Sequence, residues 1–391
     1  MTTSNNRRNF LKTAGSAIVP VLMPAGTLFA ATARPQEAPA VRPVRFFGDG
    51  ETFEPEDYIN ELAKLNAKGR IERDRYGTGG VVAALEKKFT EITGKESAIF
   101  MPSGTMANQL AIAVLSGESS KVFVQDTSHV FRDEADAAQS VFSKRLYPLA
   151  PGETYFTARQ LQDTIESLPN EEVFRTGIGA VSIENPVRRT DGRQVPIDEI
   201  RKISTYCRSN NIKLHLDGAR LFMASAWSGV PIKEYASHFD TVYVSLYKYF
   251  GASAGAVLCG SKDVIGKMGH LVKVHGGSMY SNWANAAMAL HRLDGFEERL
   301  QSAVRRSEEI FASLNKIPGI RVSALSGGTN IYTLELAKEI DGRKLQEKLN
   351  KEFNVRMPRP NDKGQGQLMV NETLLYQSAD YVIDAFRKSI R

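Results

Sequence analysis

Two residues whose types and spacing could do chemistry together are Asp217 and Lys248, 31 positions apart. The run Ile212–Leu216 predicts a strand that ends at Asp217. The run Thr241–Leu246 predicts a second strand, ending just before Lys248 and a Gly/Ala/Ser loop. In an open α/β sheet, groups at the carboxyl ends of parallel strands converge on the ligand crevice. An acid and a lysine delivered there suit pyridoxal 5′-phosphate: the amine can form a Schiff base with the aldehyde, and the carboxylate can keep the pyridine nitrogen protonated. An aspartate and a lysine at two strand ends are common on their own, so the rest of the chain has to decide.

Further elements are spaced to complete such a site. Strand Ser97–Met101 runs into Pro102-Ser103-Gly104-Thr105 and a helix from Met106 to about Leu115. Small hydroxyl residues and a glycine at a helix start leave free backbone N–H groups and the positive end of the helix dipole facing an anion. A plain N-cap would use the same residue types. Strand Lys121–Gln125 is followed by His129, strand Gly179–Glu184 by Asn185-Pro186, and helix Ile197–Asn211 leads into the Asp217 strand. Strands alternating with helices predict a mostly parallel sheet covered on both faces. From about residue 296 the pattern changes to a smaller α+β arrangement. It comprises helix Glu297–Asn315, strands near Ile320–Ser323, Asn330–Leu336 and Gln367–Val370, and helices Gly342–Phe353 and Ser378–Ile390.

Competing chemistries lack their motifs. No GxGxxG follows a strand, and Gly255–Lys262 reverses the Lys and Ser of a P-loop. The six histidines have no HExxH or Cys/His metal spacing, so no metal site is expected. There is no GxSxG elbow. Cys207 and Cys259 fall in apolar elements where free cysteine packs as a small core residue.

The chain has 391 residues, 42% hydrophobic and 24% charged, within the range of soluble enzymes. The net charge is +6, with no basic run interleaved with aromatics, so nucleic acid is not expected as a partner. Three of those charges, Arg7, Arg8 and Lys12, sit in residues 1–33, which contain no acid. Asn6-Arg7-Arg8-Asn9-Phe10-Leu11-Lys12 has the twin-arginine pattern, and a charge-free stretch ends in Ala31-Thr32-Ala33, a small-x-small cleavage site. Residues 1–33 are therefore expected to be an export signal for the twin-arginine machinery, and the protein periplasmic. Residues 34–45, with three prolines, read as a linker. Residues 46–295 are expected to form the large cofactor-binding domain and 296–391 the small one.

The blocks RYGTGGVVAALEKKF, ESAIFMPSGTMANQLAI, DTSHVF, VSIENP, HLDGARLFMASAWSGVPIKEYA, SLYKYFGASAGAVLCG and HGGSMYSNWANAA together resemble the low-specificity L-threonine aldolases of the β-eliminating lyase group. These are fold-type I pyridoxal-phosphate enzymes. The resemblance implies Lys248 as the Schiff-base lysine, Asp217 as the partner of the pyridine nitrogen and Ser103, Gly104 and Thr105 as the phosphate cup. It implies His129 stacked on the ring near the substrate hydroxyl, Arg220 beside the cofactor or the substrate carboxylate, and Tyr76 as a contributor from a neighbouring subunit in a homodimer or homotetramer. It also implies cleavage of a β-hydroxy-α-amino acid to glycine and an aldehyde. A β-elimination or transamination on another amino acid, or retention of the cofactor for binding alone, would use the same machinery. Four family positions depart. The N-terminal R-S-D-T segment is Phe47-Gly48-Asp49-Gly50, a histidine after the IEN strand is Val187, and an arginine of the glycine-rich segment is Tyr280. A C-terminal carboxylate-binding arginine is replaced by Gln367, with Arg356 or Arg359 as possible substitutes.

Overall fold

The computed structural model describes residues 42–390; the expected export signal and residues 34–41 lie outside them. The strands in chain order are Val44–Arg45 (β1), Ser97–Met101 (β2), Lys121–Gln125 (β3), Arg145–Leu149 (β4), Ile178–Glu184 (β5) and Lys213–Asp217 (β6). Then come Thr241–Ser245 (β7), Ala256–Gly260 (β8), Ile320–Ala324 (β9), Ile331–Leu336 (β10), Val355–Arg356 (β11) and Gln365–Met369 (β12). Seven of them form one sheet in the order β2-β8-β7-β6-β5-β3-β4. Only β8 runs against its neighbours; β7, β6, β5, β3 and β4 pair in parallel. Since β8 is antiparallel to both β2 and β7, those two run the same way. The carboxyl ends of β2, β3, β5, β6 and β7 therefore share one edge.

Helices cover the sheet because the strands are apolar on both faces: every residue of β3, β7 and β8 is buried. Helix Gly80–Thr93 turns Val82, Leu85 and Phe89 inward at helical spacing. Behind the last site loop, Phe222, Tyr249, Phe250 and Phe296 are fully buried and pack edge to face or stacked, with centroids 4.6–5.7 Å apart. Such pairs are each worth about 0.5–1.5 kcal/mol beyond the area they bury. They anchor the chain immediately after Lys248.

A second core surrounds the antiparallel sheet β12-β10-β9. Val44–Arg45, placed in the expected linker, instead form β1, paired in parallel with β11. The prolines stop at Pro43, and Val44 and Phe46 then alternate into the core, where Phe46 meets Phe311 and Phe386 at 6.2 and 6.1 Å. The smaller core is thus built from both ends of the chain. Helix Phe296–Leu314 spans the two cores, giving Phe296 and Leu300 to one and Ala303, Ile310, Phe311 and Leu314 to the other.

One polar tie matters for the site. Asn371, fully buried, donates from Nδ2 to the carbonyls of Arg45, Phe47 and Gly48 at 3.1–3.2 Å. It fixes the path of the N-terminal segment just before Asp49.

Candidate functional site

Five strand ends meet at a cavity of about 220 Å³. Its lining includes Ser103, Gly104 and Thr105 after β2, His129 after β3, Glu184 at the end of β5, Asp217 at the end of β6 and Lys248 after β7. Ser103 caps helix Gly104–Ser116, its Oγ accepting from the Met106 N–H at 3.2 Å. The N–H groups of Gly104 and Thr105 then make no hydrogen bond among the described residues, as the first turn of a helix requires. Gly104 cannot be replaced freely, since an added Cβ would lie 2.0 Å from the Tyr243 hydroxyl. The turn is a bare anion cradle with two unused N–H donors.

Asp217 is buried and held on both oxygens, Oδ1 by the Ala219 N–H at 3.1 Å and Oδ2 by Asn108 Nδ2 at 2.9 Å. Asn108 Nδ2 also donates to Glu134 Oε1 at 2.8 Å, and that same oxygen meets His129 Nδ1 at 2.9 Å. The hydrogen bond to Glu134 holds the imidazolium of His129 above the ordinary histidine range. Glu184 accepts from the backbone N–H of His129 at 2.7 Å and of Arg188 at 2.9 Å. Burial, and after it the charge of Asp217, push its carboxyl up to about 7. Lys248 has no hydrogen bond or ion pair among the described residues. Burial first, then the nearby Arg220, push its ammonium down and favour the free amine.

Arg220 gives Nε to both carboxylate oxygens of Asp49 at 3.0 Å, which leaves its terminal amino groups without hydrogen bonds among the described residues. Asp49 reaches it because Asn371 steers the segment before it and Gly50 packs flat on Tyr249, where a Cβ would fall 2.8 Å from the Tyr249 Cα.

Three expected site residues are outside this cavity's lining: Arg220, which lies next to its lining residue Ala219, and Tyr76 and Gln367, which stand farther apart. Tyr76 is 57% exposed, in a left-handed conformation (φ +51°), with its ring edge-on to Tyr280 at 5.4 Å. Gln367 is exposed on β12 opposite Thr333, because strand alternation gives Leu368 and Val370 to the core and turns Gln367 the other way. Arg356 and Arg359 are also exposed, and Arg359 lines a separate cavity beside the small sheet. A cation with free donors among the described residues that does lie close to Lys248 is Arg220.

Sequence reasoning overlooked Asn108, Glu134, Glu184, Asp49 and Tyr243. Asn108 carried a readable signal: it lies one turn after Gly104, on the same face of a helix whose inward residues are otherwise apolar up to Ser116 at its end. His129, Glu134 and Asp217 each offer a ligand atom within 4.8 Å of the others, close enough to gather round a cation. The Asn108 amino group and His129 Nδ1 already occupy those oxygens.

Pyridoxal phosphate fits the residues present. An unpaired lysine, a carboxylate held by two N–H donors, and a phosphate-sized cradle closed to any larger side chain all face one cavity.

The fold and site define a fold-type I α/β protein. The chain belongs to the beta-eliminating lyase family, matched over residues 60–337. It is 34% identical over 276 residues to the low-specificity L-threonine aldolase of Candida albicans, covering 70% of this chain and 72% of that one. Among solved structures, the threonine aldolase of Leishmania major aligns with a TM-score of 0.66 at 19% identity, over 88% of this chain and 98% of that one. A variant of the serine palmitoyltransferase of S. paucimobilis, solved with a bound aldimine of pyridoxal phosphate and myriocin, aligns with a TM-score of 0.60 at 14% identity, over 89% and 86% of the two chains.

If Glu134 is what raises His129, Glu134→Gln should lower the His129 midpoint, because the imidazolium loses a charge-assisted hydrogen bond. The imidazolium would then give up its proton at lower pH than in the wild type. An NMR titration of the histidine ring protons reads this directly, and an unmoved midpoint would reassign the cause.

Proposed function

We propose that this protein is a pyridoxal-phosphate-dependent lyase of the threonine aldolase kind, cleaving the Cα–Cβ bond of a β-hydroxy-α-amino acid to glycine and an aldehyde. The observation that carries this is the meeting of unpaired Lys248, doubly held Asp217 and the Gly104–Thr105 cradle in one cavity. Membership of the beta-eliminating lyase family and the likeness to the Candida albicans aldolase support it.

When bound, pyridoxal phosphate supplies an electron sink for negative charge at the amino acid's α-carbon. Lys248 would hold its aldehyde carbon, and Asp217 would face the ring nitrogen and keep it cationic. The Gly104 and Thr105 N–H groups, with the Ser103 and Thr105 hydroxyls, would take the phosphate. Bond cleavage also needs a base for the β-hydroxyl proton. His129 suits this role: Glu134 engages Nδ1, so Nε2 is the nitrogen left to take the proton, and the same contact makes the ring more basic. Arg220 would receive the substrate carboxylate on its free amino groups while Asp49 holds its Nε. On this reading Gln367, exposed on β12 and outside the cavity lining, would not be needed for that contact.

The reading extends to assembly and location. Exposed Tyr76, Val274, Met279 and Tyr280, together with the tight seat of Gly277 on Pro102 and Met106, favour a second copy of the chain covering this rim of the site. The motif around Arg7 and Arg8 favours export by the twin-arginine route to the periplasm.

Borohydride reduction of purified protein should fix the cofactor on Lys248 alone, and Lys248→Ala should abolish it; label on another lysine overturns the assignment. Threonine or allo-threonine should yield glycine and acetaldehyde in equal amounts, whereas pyruvate or a keto acid would point to elimination or transamination. Light scattering at micromolar concentration should give at least a dimer mass, and an active monomer would refute the assembly. An Arg7→Lys, Arg8→Lys variant should stay in the cytoplasmic fraction, and unchanged periplasmic recovery would remove the export reading.

A further inference from the structure

Behind the cavity, Asn108, His215 and Thr241 form a buried chain of hydrogen bonds. The mechanism above uses none of the three. All are fully buried. His215 Nε2 lies 2.9 Å from Asn108 Oδ1, and His215 Nδ1 lies 2.8 Å from Thr241 Oγ1. At the other end the Asn108 amino group reaches Glu134 at 2.8 Å and Asp217 at 2.9 Å.

The partners leave one arrangement of protons. Ionised carboxylates only accept, so the amide must turn its NH₂ toward Glu134 and Asp217, and its oxygen toward His215. The oxygen only accepts, so His215 Nε2 must carry a proton. Burial pushes His215 down to about 4, so the ring is neutral near pH 7 and its Nδ1 is an acceptor. The Thr241 hydroxyl must then donate to it. A flip of the amide anywhere in this chain would set a carbonyl oxygen against two carboxylates.

We propose that Asn108 is a positioning residue for the reaction. Locked in one orientation by His215 and Thr241, it divides its two N–H bonds between Glu134 and Asp217. It thereby holds the carboxylate behind the proton-carrying imidazole and the carboxylate facing the cofactor in one fixed geometry. The proposal rests on the reading of the cavity as a pyridoxal phosphate site. It accounts for how two acids can sit near each other at the end of the sheet with their oxygens satisfied and still aimed. A merely space-filling residue at 108 would need neither the NH₂ group nor the tautomer fixed behind it.

The test uses the full chain with three variants and two readouts. One readout is the dissociation constant for pyridoxal phosphate by equilibrium dialysis. The other is the His129 midpoint in the apoprotein by NMR. Asn108→Asp keeps the shape and the acceptor for His215 but replaces the donor by a third carboxylate. Its dissociation constant should rise about tenfold or more, the effect of losing one charge-assisted bond. The His129 midpoint should rise, because added negative charge favours the imidazolium. Thr241→Val removes only the distant hydroxyl and should move both readouts the same way by less, while Thr241→Ser should restore them. A folded Asn108→Asp protein with both readouts at wild-type values overturns the proposal. Where that variant does not fold, Thr241→Val behaving like Thr241→Ser overturns it equally. Wild-type protein that fails to bind the cofactor would sink the functional reading instead, and the His129 midpoints would still judge the positioning role.

Discussion

Two carboxylates stand in register at the ends of adjacent parallel strands: Glu184 on β5 is the direct partner of Asp217 on β6. Like charges placed opposite one another in a sheet repel, and burial multiplies the cost. Everything around them works against that cost. Two backbone N–H groups hold Glu184, one backbone N–H and the Asn108 amide hold Asp217, and His129 and Arg220 bring positive charge from the neighbouring segments. The cost is still visible, since burial first and the charge of Asp217 after it push Glu184 up to about 7. A sheet kept only for stability would gain by replacing one of the acids; a site that moves protons and holds a cationic ring nitrogen uses both.

That constraint explains why distant parts of the chain converge here. The positive charge of Arg220 would be an unpaired buried cation without Asp49, and Asp49 arrives only because Asn371, near the C-terminal end, grips the backbone of residues 45–48. The smaller sheet thus bears on the chemistry through a hydrogen-bonded strap. Truncating either terminus within the described residues would disturb the charge balance beside Lys248, although none of the removed residues lines the cavity.

Much of the fold was legible because its signals are local. Strands β2 and β3 and helix Gly342–Phe353 match the expected bounds, being short apolar runs or a strongly two-faced helix between clear breakers. Strand β4 escaped because Pro148 sits inside it. Its place at the edge of the sheet is where proline can be tolerated. Strand β1 escaped because two residues carry no period, and only pairing with β11, more than 300 positions later, defines it. Within the site, Asp217, Lys248 and the Ser103–Thr105 turn were readable as strand-end chemistry. The roles of Asn108 and Glu134 were not: Asn108 stood out only as a polar residue on an inward helix face, and a buried polar residue declares what it does only through the partners that satisfy it, which here come from separate elements.

The same reasoning separates the two ends of the site. The cofactor end is fixed by strand termini, a helix start and a closed hydrogen-bond network, so its geometry follows from the sheet itself. The substrate end has no such frame. Gln367 is exposed on a different sheet, Tyr76 and Tyr280 are exposed, and Arg220 keeps terminal amino groups without hydrogen bonds among the described residues close to Lys248. Side chains that no core holds can change without unfolding the protein; among the positions departing from the aldolase pattern, exposed Tyr280 and the exposed side chain of Gln367 on β12 have that freedom, whereas Val187 is buried. Selection among amino acids would then depend on what closes the exposed rim, while the bond-breaking apparatus stays common to the family.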